Sequence, residues 1–339
     1  MKILYIGNKL SKHGNTPTSV ETLGNALAEE YEMITVSDKA NKLLRLIDML
    51  SAIVRHRKQL SLILIDTYST LNFYYAVICA WQAKMFKIPY IPILHGGNLP
   101  ERIQKNRKMS NFIFQNAKIN IAPSNYLLEA FKMYGYEVQY IPNSIALENY
   151  PFTKRTVVRP RLLYVRAFSE VYNPQMAIYV LHKVLKKYPD AKLCMVGPDK
   201  DGTLEKTKDL AVKLGVENHV IFKGKMKKSE WIKLSEKYDI FINTTNFDNT
   251  PVSVMEAMAL GLPVVSTNVG GIPYLVQDVK EAILVDPNDA NAMAQKISLL
   301  IKHPSNAVEL AENARKKVES FDWKKVKTRW VKLLHGDNK

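Results

Sequence analysis

FDNTPVSVMEAMALGLPVVSTNVGG, residues 247–271, sets Glu256 among Val252, Val254, Met255, Ala257, Met258, Ala259 and Leu260. The chain breakers define the local structure. Thr250 suits an N-cap, and Pro251 then falls at the first helical position, where its missing N–H costs nothing. Gly261 suits the left-handed position past a helix end, and Pro263 bars continuation. The spacing predicts a short helix over 251–260, about 15 Å long at the usual rise per residue. LPVVST (262–267) reads as a buried strand and NVGG as the turn after it. A helix this apolar is packed inside something, and an unpaired carboxylate there costs on the order of several kcal/mol or shifts its pKa. Two readings fit Glu256. It is either a structural ion pair or hydrogen bond to a neighbouring segment, or a cleft-facing group that binds a polar ligand. Asp248 lies in the loop that enters the helix. The amides of Val252, Ser253 and Val254 are expected to be free at its N-terminus, an arrangement suited to phosphate.

Outward from this stretch, short apolar runs alternate with helical periodicities. KILYIG, LILID, YIPIL, INIAPS and VQYIPN are strand-like in the first half; RLLYVRA, KLCMVG, VIFKG, IFINTT, LPVVST and AILVD are strand-like in the second. Residues 18–30, 124–134, 175–187, 203–214 and 291–302 carry helical spacing between them. Such alternation means parallel sheets with crossover helices. Eleven strands exceed one ordinary doubly wound sheet, so the expected fold class is α/β with two Rossmann-like, doubly wound parallel-sheet domains facing a cleft. The proline-flanked stretch 148–160, ENYPFTKRTVVRP, supplies the boundary, giving domains over 1–150 and 151–320. Ligands in such sheets bind at the carboxyl ends of the strands.

Composition narrows the class. The chain has 339 residues, 47% of them apolar, which excludes a disordered protein. Cys79 and Cys194 sit far apart in apolar runs and read as buried, reduced thiols of a cytoplasmic protein. MKILYIG enters a strand at once and carries no signal-peptide pattern. The charge-free stretch 67–83 contains Thr, Ser, Asn and Gln, and reads as a strand end and a core helix, not a membrane span. Lys and Arg number 48 against 32 acidic residues, a net charge of +16, which implies an anionic partner. Nucleic acid is disfavoured, because zinc spacing, a stacking stripe and a recognition-helix pattern are all missing.

The arrangement Asp248, seven residues, Glu256, then AMALGLPVVST and NVGG, resembles the retaining nucleotide-sugar glycosyltransferases of family four, which have the GT-B fold. SNYLLEAFKMYGYEVQYIPNSI (124–145), ILHGGN (93–98) and FDWKKVKTRWVKLL (321–334) extend the resemblance over most of the chain. It implies a donor-binding second domain, an acceptor-binding first domain and a C-terminal helix (321–339) crossing back to the first domain. It implies that Glu256 holds the ribose hydroxyls, Asp248 contacts the donor sugar, and the amides of Val252, Ser253 and Val254 lie near the diphosphate. Arg166 in YVRAFSE corresponds to the family's phosphate-binding arginine, a planar fork suited to diphosphate oxygens. His95 corresponds to a histidine near the reacting sugar. Lys225 and Met226 would lie near the nucleobase. The family's second phosphate-binding cation is missing. Asn173 stands nearest its place, and the loop around Gly14 and Asn15 offers backbone amides instead. The reaction implied is transfer of a hexose-type sugar from a UDP- or GDP-linked donor to a glycan or lipid-linked acceptor, with retention, in bacterial surface polysaccharide synthesis. No metal or cofactor is expected. The competing readings are a sugar-nucleotide epimerase of similar shape, a non-catalytic sugar-nucleotide binder and a polyanion-binding protein.

Two further features invite interpretation. Asp199-Lys200-Asp201 has the form of a D-x-D metal motif, but GPDKDG is turn composition. Between Lys39 and Lys118 there are 13 Lys and Arg against three acids, a net +10. Residues 39–58 place Leu43, Leu44, Ile47, Leu50 and Val54 at helical spacing, read as the face that covers the sheet. The surplus cations point to an enzyme held on the anionic inner face of a membrane.

Overall fold

The computed structural model describes residues 1–13 and 17–336, which form two compact units, Met1–Pro142 and Asn143–Lys339. The first holds β1 (Lys2–Ile6), β2 (Glu32–Val36), β3 (Leu62–Thr67), β4 (Tyr90–Leu94), β5 (Asn120–Ala122) and β6 (Val138–Tyr140) in one parallel sheet, ordered β2-β1-β3-β4-β5-β6. The second holds β7 (Arg161–Val165), β8 (Lys192–Val196), β9 (Val220–Gly224), β10 (Ile240–Asn243), β11 (Val264–Thr267) and β12 (Ile283–Val285), ordered β12-β11-β10-β7-β8-β9 and again parallel. Both are α/β sheets of the kind the alternation required. Each has one switch point, where the chain leaves its first strand in one direction and later returns to that strand's other side. These lie between β1 and β3 and between β7 and β10, the places where such sheets bind ligands.

β2 is the strand that the apolar runs did not reveal. EMITV lies at the sheet edge, and none of its residues is fully buried, so it lacks the continuous hydrophobic signature of an interior strand. The segment 145–155 belongs to the second unit, where Ile145 forms a parallel bridge with Asp322. The division thus falls after Pro142, upstream of the proline-flanked stretch. The final described helix, Trp323–His335, groups with the same unit.

Two helices of the first unit turn the opposite way from their hydrophobic pattern. In Lys42–His56 the buried positions are Arg45, Met49, Ala52 and Ile53, while Leu43, Leu44, Ile47 and Val54 face outward. Arg45 can be inside because its guanidinium donates to the carbonyls of Lys39 and Ala40 and to the Asn8 side chain. Asn72–Met85 lies against the sheet through Phe73, Ala76, Cys79, Ala80 and Ala83. Four of these are small, which permits close approach to β3 and leaves the larger Trp81 and Met85 outside. It is therefore a one-sided helix and not a core helix throughout. Both cysteines are buried and free, and burial pushes the Cys79 thiol up to about 12.

Candidate active site

The switch point of the second sheet gathers the predicted residues. β7 ends at Val165, which puts Arg166 at its carboxyl end; β10 ends at Asn243 and feeds the loop that carries Asp248. Arg166 Nη2 and Asp248 Oδ2 form an ion pair, and both side chains are about one-seventh exposed (14% and 15%). The guanidinium also stacks 4.0 Å over the Tyr172 ring. Burial raises the Asp248 carboxyl above the ordinary aspartate range, and Arg166 only partly offsets this. The Gly-Gly turn supports the same loop. Gly270 has φ +54°, and a Cβ there would lie 2.2 Å from the Asp248 carbonyl oxygen. Gly271 N–H donates to that carbonyl at 2.9 Å.

The helix after the loop is Val252–Ala259, one residue later than the spacing suggested. Pro251 is its N-cap, and Thr250 does not cap it: Thr250 Oγ1 is buried without a partner. The Val254 amide donates to the Pro251 carbonyl at 3.1 Å, so it is not free. The amides of Val252 and Ser253 have no backbone acceptor among the described residues. At the other end, Gly261 takes φ +73°, as expected. Two arginines neutralise the helix's terminal carbonyls. Arg155 donates to Leu260 and Gly261, and Arg315 donates to Ala259. With cations closing its negative end, the helix keeps an unneutralised positive end beside Asp248.

Glu256 is 4% exposed, and its Oε1 has two protein partners. Tyr150 OH donates to it at 2.7 Å, and Lys228 Nζ lies 2.7 Å from it. The structural reading of this carboxylate therefore holds for Oε1. Both contacts use one oxygen, which leaves Oε2 to accept from a ligand. Burial and the neighbouring carboxylate push the Tyr150 phenol well up, so it stays a donor.

The remaining predicted positions fall as follows. Asn173 (φ +46°) caps helix Pro174–Leu185 by accepting from Met176 N–H, and its amide donates to Asn246 and Asn288. Its side chain is committed to this loop and brings no charge. Lys225 is exposed just after β9, and Met226 packs on the core cluster that contains Val254 and Met255. Gly14 and Asn15 lie outside the described residues. Asp199 and Asp201 act as turn and cap groups. Asp201 accepts from Ser169 Oγ, the Glu170 amide and Thr203, and these bonds hold its carboxyl down at about 2. Asp199 Oδ1 accepts from the Gly202 amide at 3.1 Å.

His95 belongs to the first unit, at the carboxyl end of β4. Its Nε2 lies 2.7 Å from Asp66 Oδ1, which also accepts from Tyr5 OH at 2.8 Å. Tyr68 stacks on the imidazole with ring centroids 5.2 Å apart. The Asp66 side chain is fully buried, and its Oδ2 has no partner.

Residues 151–317 match the family model described as glycosyl transferases group 1. This segment is a group 1 glycosyltransferase domain. Among curated relatives, the D-inositol 3-phosphate glycosyltransferase of Corynebacterium efficiens is 27% identical over 164 residues, covering 47% of this chain and 39% of that protein. The sulfoquinovosyl transferase SQD2 of Arabidopsis thaliana is 27% identical over 158 residues, covering 46% of this chain and 30% of its own. The chain thus spans less than half the length of these relatives. Among solved structures, Anabaena Alr3699/HepE in complex with UDP has a TM-score of 0.82 at 19% identity, covering 98% of this chain and 99% of that one. The sucrose-phosphate synthase of Thermosynechococcus elongatus has a TM-score of 0.81 at 17% identity, covering 98% of both chains. The fold is that of the GT-B glycosyltransferases.

Of the groups around Glu256, the sequence did not reveal Tyr150 and Lys228. They stand 106 and 28 residues from Glu256, and no spacing rule connects them to it. Lys228 lies in the basic run GKMKKSEW, residues 224–231. The helix is Lys228–Ser235, and Glu230 accepts from the Lys227 amide at 2.8 Å. The one hint of Lys228 was the density of lysines in that run.

Proposed function

We propose that the chain is a retaining glycosyltransferase that takes a hexose-type sugar from a UDP- or GDP-linked donor bound by the group 1 domain. One observation carries this reading. The second unit's buried side-chain polar atoms that lack a partner among the described residues are Arg166 Nε, Asn243 Oδ1, Thr250 Oγ1 and Ser253 Oγ. All four lie at the carboxyl ends of β7 and β10 or on the segment that follows. Buried polar groups are normally satisfied, so a cluster of orphans at a switch point supports the binding of a polar ligand there.

The roles follow from the chemistry of each group. The free helix amides and Arg166 face the diphosphate, Glu256 Oε2 accepts from a ribose hydroxyl, and Asp248 accepts from the sugar. Lys228 supplies positive charge that Asn173 lacks. As the bond from the anomeric carbon to the leaving phosphate breaks, the acceptor oxygen bonds to the same face, and its proton passes to the departing diphosphate. The fixed positive field of Arg166 and the helix end stabilises that diphosphate in place of a metal ion. His95, oriented by Asp66, belongs to the acceptor side.

The resemblance set out above is the support for a glycan or lipid-linked acceptor of surface polysaccharide synthesis, and the +16 charge supports an enzyme on the anionic inner face of the cell membrane. The Anabaena structure with UDP supports a uridine donor as the first to try.

Thermal shift across a panel of UDP-, GDP- and ADP-sugars tests donor binding, since a ligand stabilises the state that binds it. One nucleotide series should raise the melting temperature, and NMR of the product should show the donor's anomeric configuration. Stabilisation by none of them, or an inverted product, would overturn the reading.

A further inference from the structure

Three helices of the first unit lie side by side: Asn72–Met85 packs between Lys42–His56 and Arg107–Gln115. Their outward surface is apolar in an ordered way. Leu71, Tyr74, Ile78, Trp81 and Met85 recur every three or four residues, and each exposes between 36% and 63% of its surface. That is one stripe along the whole helix, about 20 Å at the usual rise. Leu43, Leu44 and Ile47 extend it on the neighbouring helix, each at least half exposed. Between the central helix and Arg107–Gln115 lies an apolar trough of about 340 Å³, walled by Ile78, Trp81, Met109 and Phe112, with Lys108 at its rim. Contiguous apolar surface of this kind marks a contact site.

The surrounding charge identifies the partner. Lys42, Arg57, Lys58, Lys84, Lys87 and Lys108 are exposed on these helices and the turns beside them. None of the six is paired with a carboxylate among the described residues. Lys84 instead reaches over the Phe112 ring and Arg57 over Phe86, so the cations and the apolar surface are interleaved. No described helix is long and apolar enough to cross a membrane. An apolar stripe with Trp and Tyr, set in unneutralised Lys and Arg, fits the boundary between headgroups and acyl chains.

We propose that this three-helix surface docks on an anionic lipid bilayer, with Ile78, Trp81 and Met85 entering the headgroup–acyl boundary and the lysines facing lipid phosphates. The inference deepens the reading of a membrane-borne acceptor and rests on it. The stripe starts at Leu71, four residues past the carboxyl end of β3, so it begins at the edge of the sheet that carries Asp66 and His95. Docking through this surface brings that edge to the bilayer that holds the acceptor.

Vesicle flotation tests the surface, using neutral phosphatidylcholine vesicles and vesicles containing phosphatidylglycerol, at low and high salt. The wild type should float only with the anionic vesicles and should detach as salt rises. The double variant Ile78→Ser/Trp81→Ser and the triple variant Lys84→Gln/Lys87→Gln/Lys108→Gln should each lower partitioning by about tenfold or more. Both should keep the thermal shift given by the nucleotide sugar, which shows that they fold. Equal flotation with neutral and anionic vesicles, no flotation with either, or wild-type partitioning by the double variant would overturn the proposal. So would a lipid-free dimer that Trp81→Ser makes monomeric, since a second copy would then cover the stripe. Donor stabilisation is read without lipid, so failure of this surface and failure of the donor reading are separate results.

Discussion

Lys228 and Glu256 form an ion pair across a steep change of environment. The ammonium side chain is 60% exposed, the carboxylate 6%, and 2.7 Å separates Nζ from Oε1. The lysine can leave for solvent at little cost. The carboxylate cannot, and Tyr150 is the partner that stays with it.

This division of labour gives the first prediction. Tyr150→Phe should destabilise the fold by about 1–3 kcal/mol, because it strips a donor from a buried carboxylate. Lys228→Gln should cost little stability yet weaken donor binding. Glu256→Gln should weaken nucleotide affinity more than Asp248→Asn does, whereas Asp248→Asn should act mainly on turnover. Titration calorimetry with the free nucleotide and steady-state kinetics separate these effects. Equal nucleotide affinity in the wild type and Glu256→Gln would sink the ribose assignment.

Asp248 should leave a pH signature. Burial raises its carboxyl in the folded chain, so the folded state holds this proton more tightly than the unfolded state does. Its contribution to stability is then fully present below the ordinary aspartate range and is lost as pH rises through the raised value. Urea unfolding of the wild type and Asp248→Asn from acid to neutral pH should show the wild type losing stability relative to the variant across that window. A constant difference would refute it.

Asp201 behaves in the opposite sense. Its carboxyl is held down at about 2, so its contribution is present above the ordinary aspartate range and is lost as pH falls through that value. Asp201→Ala should lower the melting temperature by removing the acceptor shared by Ser169, Glu170 and Thr203 and should leave turnover unchanged. Turnover itself should survive EDTA. Loss of turnover restored by Mg²⁺ or Mn²⁺ would make Asp199 and Asp201 metal ligands after all.

Asp66→Asn tests the acceptor side. The amide would present a donor where His95 Nε2 and Tyr5 OH now share one acceptor, so the imidazole tautomer is no longer fixed. Turnover should fall about tenfold or more while nucleotide affinity, which is measured on the other unit, stays unchanged. Imidazole ¹⁵N chemical shifts should report the mixed tautomer. A single unchanged tautomer would show that Asp66 does not set it.

Gly270→Ala should cost on the order of 1–3 kcal/mol, since it combines a left-handed φ with a contact on the Asp248 carbonyl. Its effect on turnover should exceed that of an equally destabilising core substitution, because the displaced backbone carries Asp248. Kinetics normalised to the folded fraction would check this.

Much of the donor side was legible because it is local. Pro251 and Gly261 bound the helix, Gly270 and Gly271 mark a close backbone approach, and Asp248 lies in the loop that enters the short helix bearing Glu256. Where the partner is distant in sequence, spacing carries no signal. Tyr150, Lys228 and the Asp66–His95 pair belong to that class. The helix Lys42–His56 failed for a different reason. Periodicity shows that an apolar stripe exists, not which side faces the sheet. Here the inward side uses Met49, Ala52 and Ile53 with an internally satisfied Arg45, and the stronger stripe points out.

Arg315 Nη1 donates to the Tyr150 carbonyl at 2.8 Å and to the Ala259 carbonyl at 2.6 Å. A residue late in the chain therefore clamps both the segment that serves Glu256 and the end of the helix that bears it. During synthesis the first unit can close once its 142 residues have left the ribosome, as N-terminal domains generally do. The donor side has no such early start. Until Arg315 emerges, the helix end lacks one of its two arginines and Tyr150 lacks its tether, so a nascent chain arrested before that point should hold a folded first unit and no competence for nucleotide.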